Sequence, residues 1–307
     1  MVDFLRELRW LLEQVPRGQV TSFKALADAL GDGKAAKAVY ETLKESKLPG
    51  WHRVVRSDGG IPFPEAAGTL AQEGIRLSDS RVVGFQGMKF TDFRSQRPLE
   101  LLRREQISLA SRVVLEDMLE EPEEVGGFDL SYQGNRAYAA AVVMDREGVE
   151  VLDEVRLTTI VSFPYISTYL SYREFEPISL CYGRLRWRPS VLLVDGNGIL
   201  HPAGFGIACL VGVRLGRPTI GVAKSLLLGR VDSGVKQGEN SQIHHRGRLL
   251  GYAYRPGRGK PIFISPGHMI SPSTALELVK GLCKERVPEP LRLAHLACGQ
   301  MRRAAVG

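Results

Sequence analysis

The chain has 307 residues, enough for two domains of ordinary size, and its 44% hydrophobic content lets each bury a core. No apolar run is long enough to span a bilayer. Four cysteines, Cys181, Cys209, Cys283 and Cys298, include no Cys-x-x-Cys pair, which argues against a zinc cluster or a disulfide framework and for buried reduced thiols. The net charge of +7 suits a polyanionic partner, and it is spread over both halves instead of forming a basic arm.

In chain order, residues 1–10 mix Asp3, Arg6, Glu7 and Arg9 with apolar residues, an amphipathic helix and not a signal peptide. A soluble, cytoplasmic protein is therefore expected, without a membrane association or an obligatory protein partner. Residues 22–30 have apolar positions at helical spacing, with Thr21 or Ser22 as N-cap. Gly31-Asp32-Gly33 is a turn and residues 35–44 a second helix, the pattern of a helix-turn-helix module. Residues 51–61, closing in Asp58-Gly59-Gly60, read as the strand and turn of a wing. Poor periodicity over residues 81–98 marks a linker between a first domain, 1–80, and a second, 99–307. The second opens with a helix over roughly residues 99–119.

From Gly126 the pattern turns to strands. Residues 128–132, 137–144 and 149–157 form three runs separated by turns, an antiparallel meander. Residues 191–195 and 219–222 are continuous apolar runs, as strands covered on both faces should be. Residues 249–255 and 261–265 suggest a hairpin, and residues 271–284 a helix capped by Ser271 or Ser273. The class is α/β, a sheet with helices on its faces.

Asp129 and Asp195 each end a buried strand run, and an ionised carboxylate is expensive to bury unless paired or bound to a cation. Two of them at strand ends suggest one rim of the sheet, where oxygen ligands suit Mg²⁺ or Mn²⁺ and a metal can assist phosphodiester cleavage. Taken singly these residues have ordinary readings. A strand-end Asp is a turn or cap residue, Glu174 a solvated helix residue beside Arg173, Lys224 a surface lysine, and His268 a loop histidine.

Their order is more specific. Phe163-Pro164-Tyr165-Ile166, Tyr172-Arg173-Glu174, Val194-Asp195-Gly196-Asn197-Gly198, His201-Pro202, Gly206-Ile207-Ala208, Gly221-Val222-Ala223-Lys224-Ser225, Ser265-Pro266-Gly267-His268, Pro288-Glu289-Pro290 and Arg292-Leu293-Ala294-His295 follow one another as in endonuclease V, which this region resembles from about Leu101 to Arg303. The resemblance implies an RNase H-like mixed sheet with flanking helices. It also implies a metal held by Asp129, Glu174, Asp195 and His268, with Lys224 stabilising charge on the phosphate. Pro164, Tyr165 and Ile166 would form a wedge beside the lesion, although Ser167 stands where the family usually has a second proline. The flipped base would lie against backbone near Gly204 and Gly206. The implied activity is a nick 3′ to a deaminated base, hypoxanthine, in damaged DNA, with Mg²⁺ as cofactor and Mn²⁺ also accepted. A noncatalytic damage-binding scaffold and an inosine-specific RNA endonuclease are the alternatives.

The first domain resembles the winged helix-turn-helix DNA-binding domain of alkylguanine-DNA alkyltransferases. The likeness is carried by Val15-Pro16-Arg17-Gly18-Gln19-Val20-Thr21-Ser22, Ala35-Ala36-Lys37-Ala38-Val39 and Trp51-His52-Arg53-Val54-Val55. Trp51 stands where that family has its nucleophilic cysteine, and no thiol occurs before Cys181, so alkyl transfer to cysteine has no acceptor here. This resembles the alkyltransferase-like proteins, which bind alkylated bases without repairing them. Lys37, Trp51 and Arg53 are the candidate DNA contacts. Lys37 replaces the family's inserted arginine, Phe23 its tyrosine, and Tyr40 a common glycine. Lesion recognition, nonspecific docking and a structural role all remain open for this domain.

Overall fold

The structure is a computed structural model that describes residues 2–118, 122–231 and 234–305. The chain divides into two compact units, Met1–Arg104 with Ser162–Ser167, and Glu105–Val161 with Thr168–Gly307. Among the described residues no helix is long and apolar enough to cross a membrane.

In the first unit, helix α1 (Phe4–Glu13) starts where Asp3 accepts a hydrogen bond from the Arg6 amide, and it buries Phe4, Leu8, Leu11 and Leu12. Strand β1 (Thr21–Ser22) runs straight into α2 (Phe23–Leu30). Ser22 is the cap, accepting from the Ala25 amide at 3.1 Å, while the Thr21 hydroxyl donates to the Phe90 carbonyl at 2.9 Å. Helix α3 is Ala36–Ser46, and β2 (Val54–Val55) pairs in parallel with β1. The expected strand over 51–61 is thus only two residues long, preceded by a helical turn at Trp51–Arg53. Helix α4 (Ala66–Gln72) is followed by a small hairpin of β3 (Leu77–Ser78) and β4 (Arg81–Val82), then by α5 (Phe85–Met88). The segment 81–98, expected as a linker, therefore carries structure of its own, with Val82 and Phe85 buried within this unit. Helix α6 (Pro98–Ala110) ends well before the expected 119; residues 111–118 leave the helix, and Leu119 lies outside the described residues.

The second unit is built on a nine-stranded mixed sheet. Its strands are β5 (Glu124–Gln133), β6 (Arg136–Asp145), β7 (Val151–Ile160), β8 (Val191–Asp195), β9 (Thr219–Ala223), β10 (Arg230–Val231), β11 (Asn240–His245), β12 (Arg248–Tyr254) and β13 (Ile262–His268), in the order β10-β11-β12-β13-β9-β8-β5-β6-β7. β5, β6 and β7 form the expected antiparallel meander, while β8 runs parallel to both β5 and β9. Helices α7 (Leu170–Arg184) and α8 (Ile207–Leu215) pack on one face, against Phe128, Leu192 and Val194. Helices α9 (Pro272–Leu282) and α10 (Glu289–Ala304) cover the other, against Val125, Leu193, Val222, Ala140 and Val142. Ser271 caps α9, accepting from the Thr274 amide at 3.2 Å.

In the first unit, Arg53 is tied inward. Its Nε and Nη2 donate to Glu73 at 2.9 and 2.6 Å, and its Nη1 to the Val15 carbonyl at 2.9 Å. The Arg53 hydrogen bonds hold the Glu73 carboxyl at about 2, well below its ordinary 4.5. A carboxylate with a depressed pKa contributes stability that is complete above about pH 4.5 and is lost as the pH falls toward 2. Glu73→Gln is therefore expected to destabilise this unit by about 1–3 kcal/mol at pH 7 by leaving Arg53 partly unpaired. Hydrogen exchange over residues 51–73 measures this, and the difference from the parent should shrink at pH 3.

Candidate functional site

The pairing of β5 with β8 builds the site. Phe128 lies opposite Val194, so the next residues, Asp129 and Asp195, lie side by side where the parallel pairing stops. Asp195 ends β8 as expected, whereas β5 runs on to Gln133 along β6, so Asp129 lies within its strand and not at its end. Alternation turns both aspartates to the α9/α10 face, since Phe128 and Val194 face α7. On the other side Asp195 pairs with Val222. Lys224 lies two residues on, and its ammonium forms an ion pair with Asp195 Oδ2.

Helix α10 delivers a histidine to the same rim. Gly127 makes room for it: a Cβ there would lie 2.3 Å from the Pro290 carbonyl carbon and 2.5 Å from the Leu291 nitrogen. The start of α10 thus rests directly on β5, with Leu291, Ala294, Ala297 and Cys298 facing inward. Cys298 Sγ donates to the Asp129 carbonyl at 3.1 Å, and Ser131 Oγ donates to the Cys298 carbonyl at 3.1 Å. With the helix so pinned, His295 Nδ1 stands 2.7 Å from Asp129 Oδ2, while Asp129 Oδ1 accepts from the Leu130 amide at 2.8 Å.

Glu174 comes from α7, on the opposite face, and is buried. Its Oε1 accepts from the Tyr132 hydroxyl at 3.2 Å. Burial first, then the charges of Asp195 and Asp129, push its carboxyl up to about 8. Burial and Asp195 likewise raise Asp129. Burial opposes the charge of Lys224, but Asp195 and Asp129 outweigh it and the ammonium is held more firmly than usual. The charge of Asp195 thus disfavours ionisation of both Asp129 and Glu174, and Asp129 adds to this at Glu174, with Lys224 as the fixed countercharge beside Asp195. As the side chains lie, no three histidine, cysteine or acidic groups among the described residues are poised to hold a metal ion. Lys224 and His295 lie against the two aspartates instead.

His268 does not belong to this cluster, which corrects the expectation drawn from its motif. β13 runs antiparallel to β9, so His268 pairs with Thr219 at the start of that strand, whereas Asp195 pairs with Val222 near its end. Three strand residues separate the two positions by about 10 Å. His268 Nδ1 accepts from the Val114 amide at 3.2 Å, and burial and Arg112 disfavour its charged form. The residue in its place is His295. It was visible in the sequence beside the stripe Leu291, Ala294 and Cys298, but only α10 shows that this stripe lies on β5.

Gly206 and Gly204 differ. A Cβ at Gly206 would strike the Asn197 carbonyl oxygen at 2.1 Å, so the bare backbone there serves packing against the Asp195–Gly198 loop. Gly204 faces open space with φ +62. Within the first unit, Phe163 is buried edge-on to Phe4 at 6.3 Å, and Ile166 is buried too. Of the expected wedge, Tyr165, 65% exposed, and the half-buried Pro164 are left to meet a partner; Ile166 is an anchor.

Lys37 is exposed on α3. Trp51 packs edge-on to Phe63 at 5.5 Å, with the Lys47 ammonium 5.2 Å above its ring. Arg53 makes the internal bonds to Glu73 and Val15 described above, which corrects its expected role as a DNA contact.

Residues 107–296 match the endonuclease V family, and residues 3–80 match the DNA-binding domain of 6-O-methylguanine DNA methyltransferase. The chain belongs to the endonuclease V family. It is a DNA repair endonuclease with an N-terminal DNA-binding module. Endonuclease V of Thermofilum pendens is 46% identical over 202 residues, spanning 64% of this chain and 86% of that one. A bifunctional methyltransferase/endonuclease of Picrophilus torridus is 32% identical and matches over 98% of both chains, so the two-part architecture is shared. The Ciona intestinalis endonuclease V structure, in complex with a 24mer DNA containing an inosine followed by a ribo-adenosine, is 30% identical with a TM-score of 0.61, covering 67% of this chain and 98% of that one.

The raised carboxyl of Glu174 has a measurable consequence in the endonuclease. Between about pH 4.5 and 8 the folded state holds a proton that the unfolded state has released, so stability falls as the pH rises. In EDTA, denaturation midpoints are expected to drop across this window, by at most about 1.4 kcal/mol per pH unit for one carboxyl. Glu174→Gln should flatten the profile.

Proposed function

We propose that this endonuclease nicks DNA 3′ to a deaminated base, hypoxanthine first, by hydrolysis assisted by Mg²⁺, with Mn²⁺ accepted in its stead. The observation that carries the reading is the crowding of Asp129, Glu174 and Asp195 at one rim with too little positive charge to settle them. Hard oxygen donors of this kind fit a divalent cation, and these three side chains with His295 are the residues to hold it. When bound, the cation supplies Lewis-acid activation of water and neutralises charge on the phosphate.

The remaining roles fall to the chain itself. Lys224, paired with Asp195 in the free protein, is placed to turn its ammonium to the phosphate as negative charge develops there. The exposed Tyr165 ring fills the stack where a base has left it. The N-terminal module, without a thiol nucleophile, docks on duplex and raises the local concentration of the nuclease there. The inosine-containing DNA in the Ciona intestinalis complex supports hypoxanthine as the lesion.

The test is a gel assay of labelled inosine DNA, inosine RNA and undamaged duplex, each with Mg²⁺ or EDTA. A nick on the 3′ side of inosine DNA, absent in EDTA and absent in Asp195→Ala, is expected. Cleavage only of the RNA would reassign the substrate, and binding without cleavage would leave a scaffold. In the same assay His295→Ala should lower the rate by tenfold or more, as loss of a metal-site partner typically does. His268→Ala should cleave nearly as well as the parent.

A further inference from the structure

The two aspartates and the glutamate reach the rim from opposite faces of the sheet. Asp129 and Asp195 are rigid: short side chains on paired strands, one braced by His295 and the other by Lys224. Glu174 stands on α7 across the sheet, at the end of a longer side chain with more rotamer freedom to lose. Among the described residues, the side chain hydrogen-bonded to it is Tyr132.

Tyr132 is itself held. It lies near the end of β5, opposite Ala137, on the α7 side of the strand. The Arg173 guanidinium sits 4.1 Å from its ring centroid, and Arg173 Nη2 donates to the Gly134 carbonyl at 3.4 Å. A cation over the ring face fixes the ring and makes its hydroxyl a better donor. Arg173 precedes Glu174 on the helix, so clamp and carboxylate move together.

We propose that Tyr132, clamped by Arg173, is a positioning residue that fixes Glu174 in the rotamer that ligates a divalent cation. The hydroxyl engages Oε1 and leaves Oε2 for the ion. This rests on the metal reading of the site given above. Tyr132 touches no reacting group, so its loss acts on cation affinity and not on the chemical step at saturation. Tyr132→Phe keeps the ring under Arg173 and removes only the hydroxyl.

The experiment uses the full chain. Mn²⁺ binding without DNA is measured by calorimetry, and the nicking rate on inosine duplex is followed against Mg²⁺ concentration. Tyr132→Phe is expected to bind Mn²⁺ about tenfold more weakly and to need about tenfold more Mg²⁺ for half-maximal rate, with the saturated rate within about twofold. Arg173→Lys, which cannot stack as a plane, should shift both in the same direction by less. Equal Mn²⁺ affinity in the parent and Tyr132→Phe overturns the proposal and leaves the metal site standing. A rate lowered at every Mg²⁺ concentration with an unmoved midpoint also overturns it, since that marks a structural residue. A parent that binds no Mn²⁺ and nicks without added cation would sink the metal reading itself.

Discussion

Like charge forced together at one rim of a sheet is the constraint around which the second unit is arranged. Asp129 and Asp195 are neighbours because each follows the last pair of two parallel strands, Phe128 with Val194, and parallel neighbours run in the same direction to the same rim. Glu174 closes the group from the other face. Burial and the neighbouring charge of Asp195 raise both Asp129 and Glu174. In the free protein Lys224 and His295 lie against the aspartates, which answers part of the repulsion without filling the site. On the reading proposed above, the same lysine that pairs with Asp195 in the free protein would turn to the phosphate, its two roles consecutive.

Backbone contact sets the geometry of this rim. Gly127 lets α10 rest on β5, and the helix carries His295 to Asp129. Gly198, Gly206 and Gly221 nest the loop after Asp195: a Cβ at Gly221 would meet the Gly198 nitrogen at 2.3 Å, and one at Gly198 the Pro266 carbonyl oxygen at 2.0 Å. Backbone cannot yield as a flexible side chain can, so any side chain at these positions would move a catalytic element. The glycines named in the motifs are therefore mostly structural supports, with Gly204 the open exception.

Much of this was legible. The apolar runs at residues 191–195 and 219–222 read as buried strands because both faces are covered, and the meander was visible from its turns. Capping chemistry placed the start of α2 at Thr21 or Ser22 and that of α9 at Ser271 or Ser273, and Ser22 and Ser271 are the caps. Strand direction was not legible. His268 ends a strand beside a glycine just as Asp195 ends its own, and only antiparallel pairing with β9 puts it at the wrong rim. β10 and β11 went unread because Asn240–His245 has little apolar alternation and β10 has two residues. Tyr132 gave no signal, since a tyrosine near a strand end is ordinary until a buried carboxylate is found 3.2 Å away.

The first unit shows how a site changes when its nucleophile is gone. Two departures from the alkyltransferase pattern, Phe23 and Tyr40, meet each other at 5.4 Å, and Tyr40 stacks on Phe63 at 5.5 Å with the rings 8° from parallel. Phe63 in turn meets Trp51, so four rings form one connected cluster around the position of the lost cysteine. Tyr40 fits here because the Phe23 and Phe63 rings give it an apolar surface to pack on. Aromatic rings in such mutual contact each contribute about 0.5–1.5 kcal/mol beyond their buried area. Opening the cluster for an extruded base would forfeit several of these contacts. With Arg53 committed to Glu73 and the exposed Lys37 left on α3, the balance favours a module that holds duplex by its phosphates over one that reads a flipped lesion.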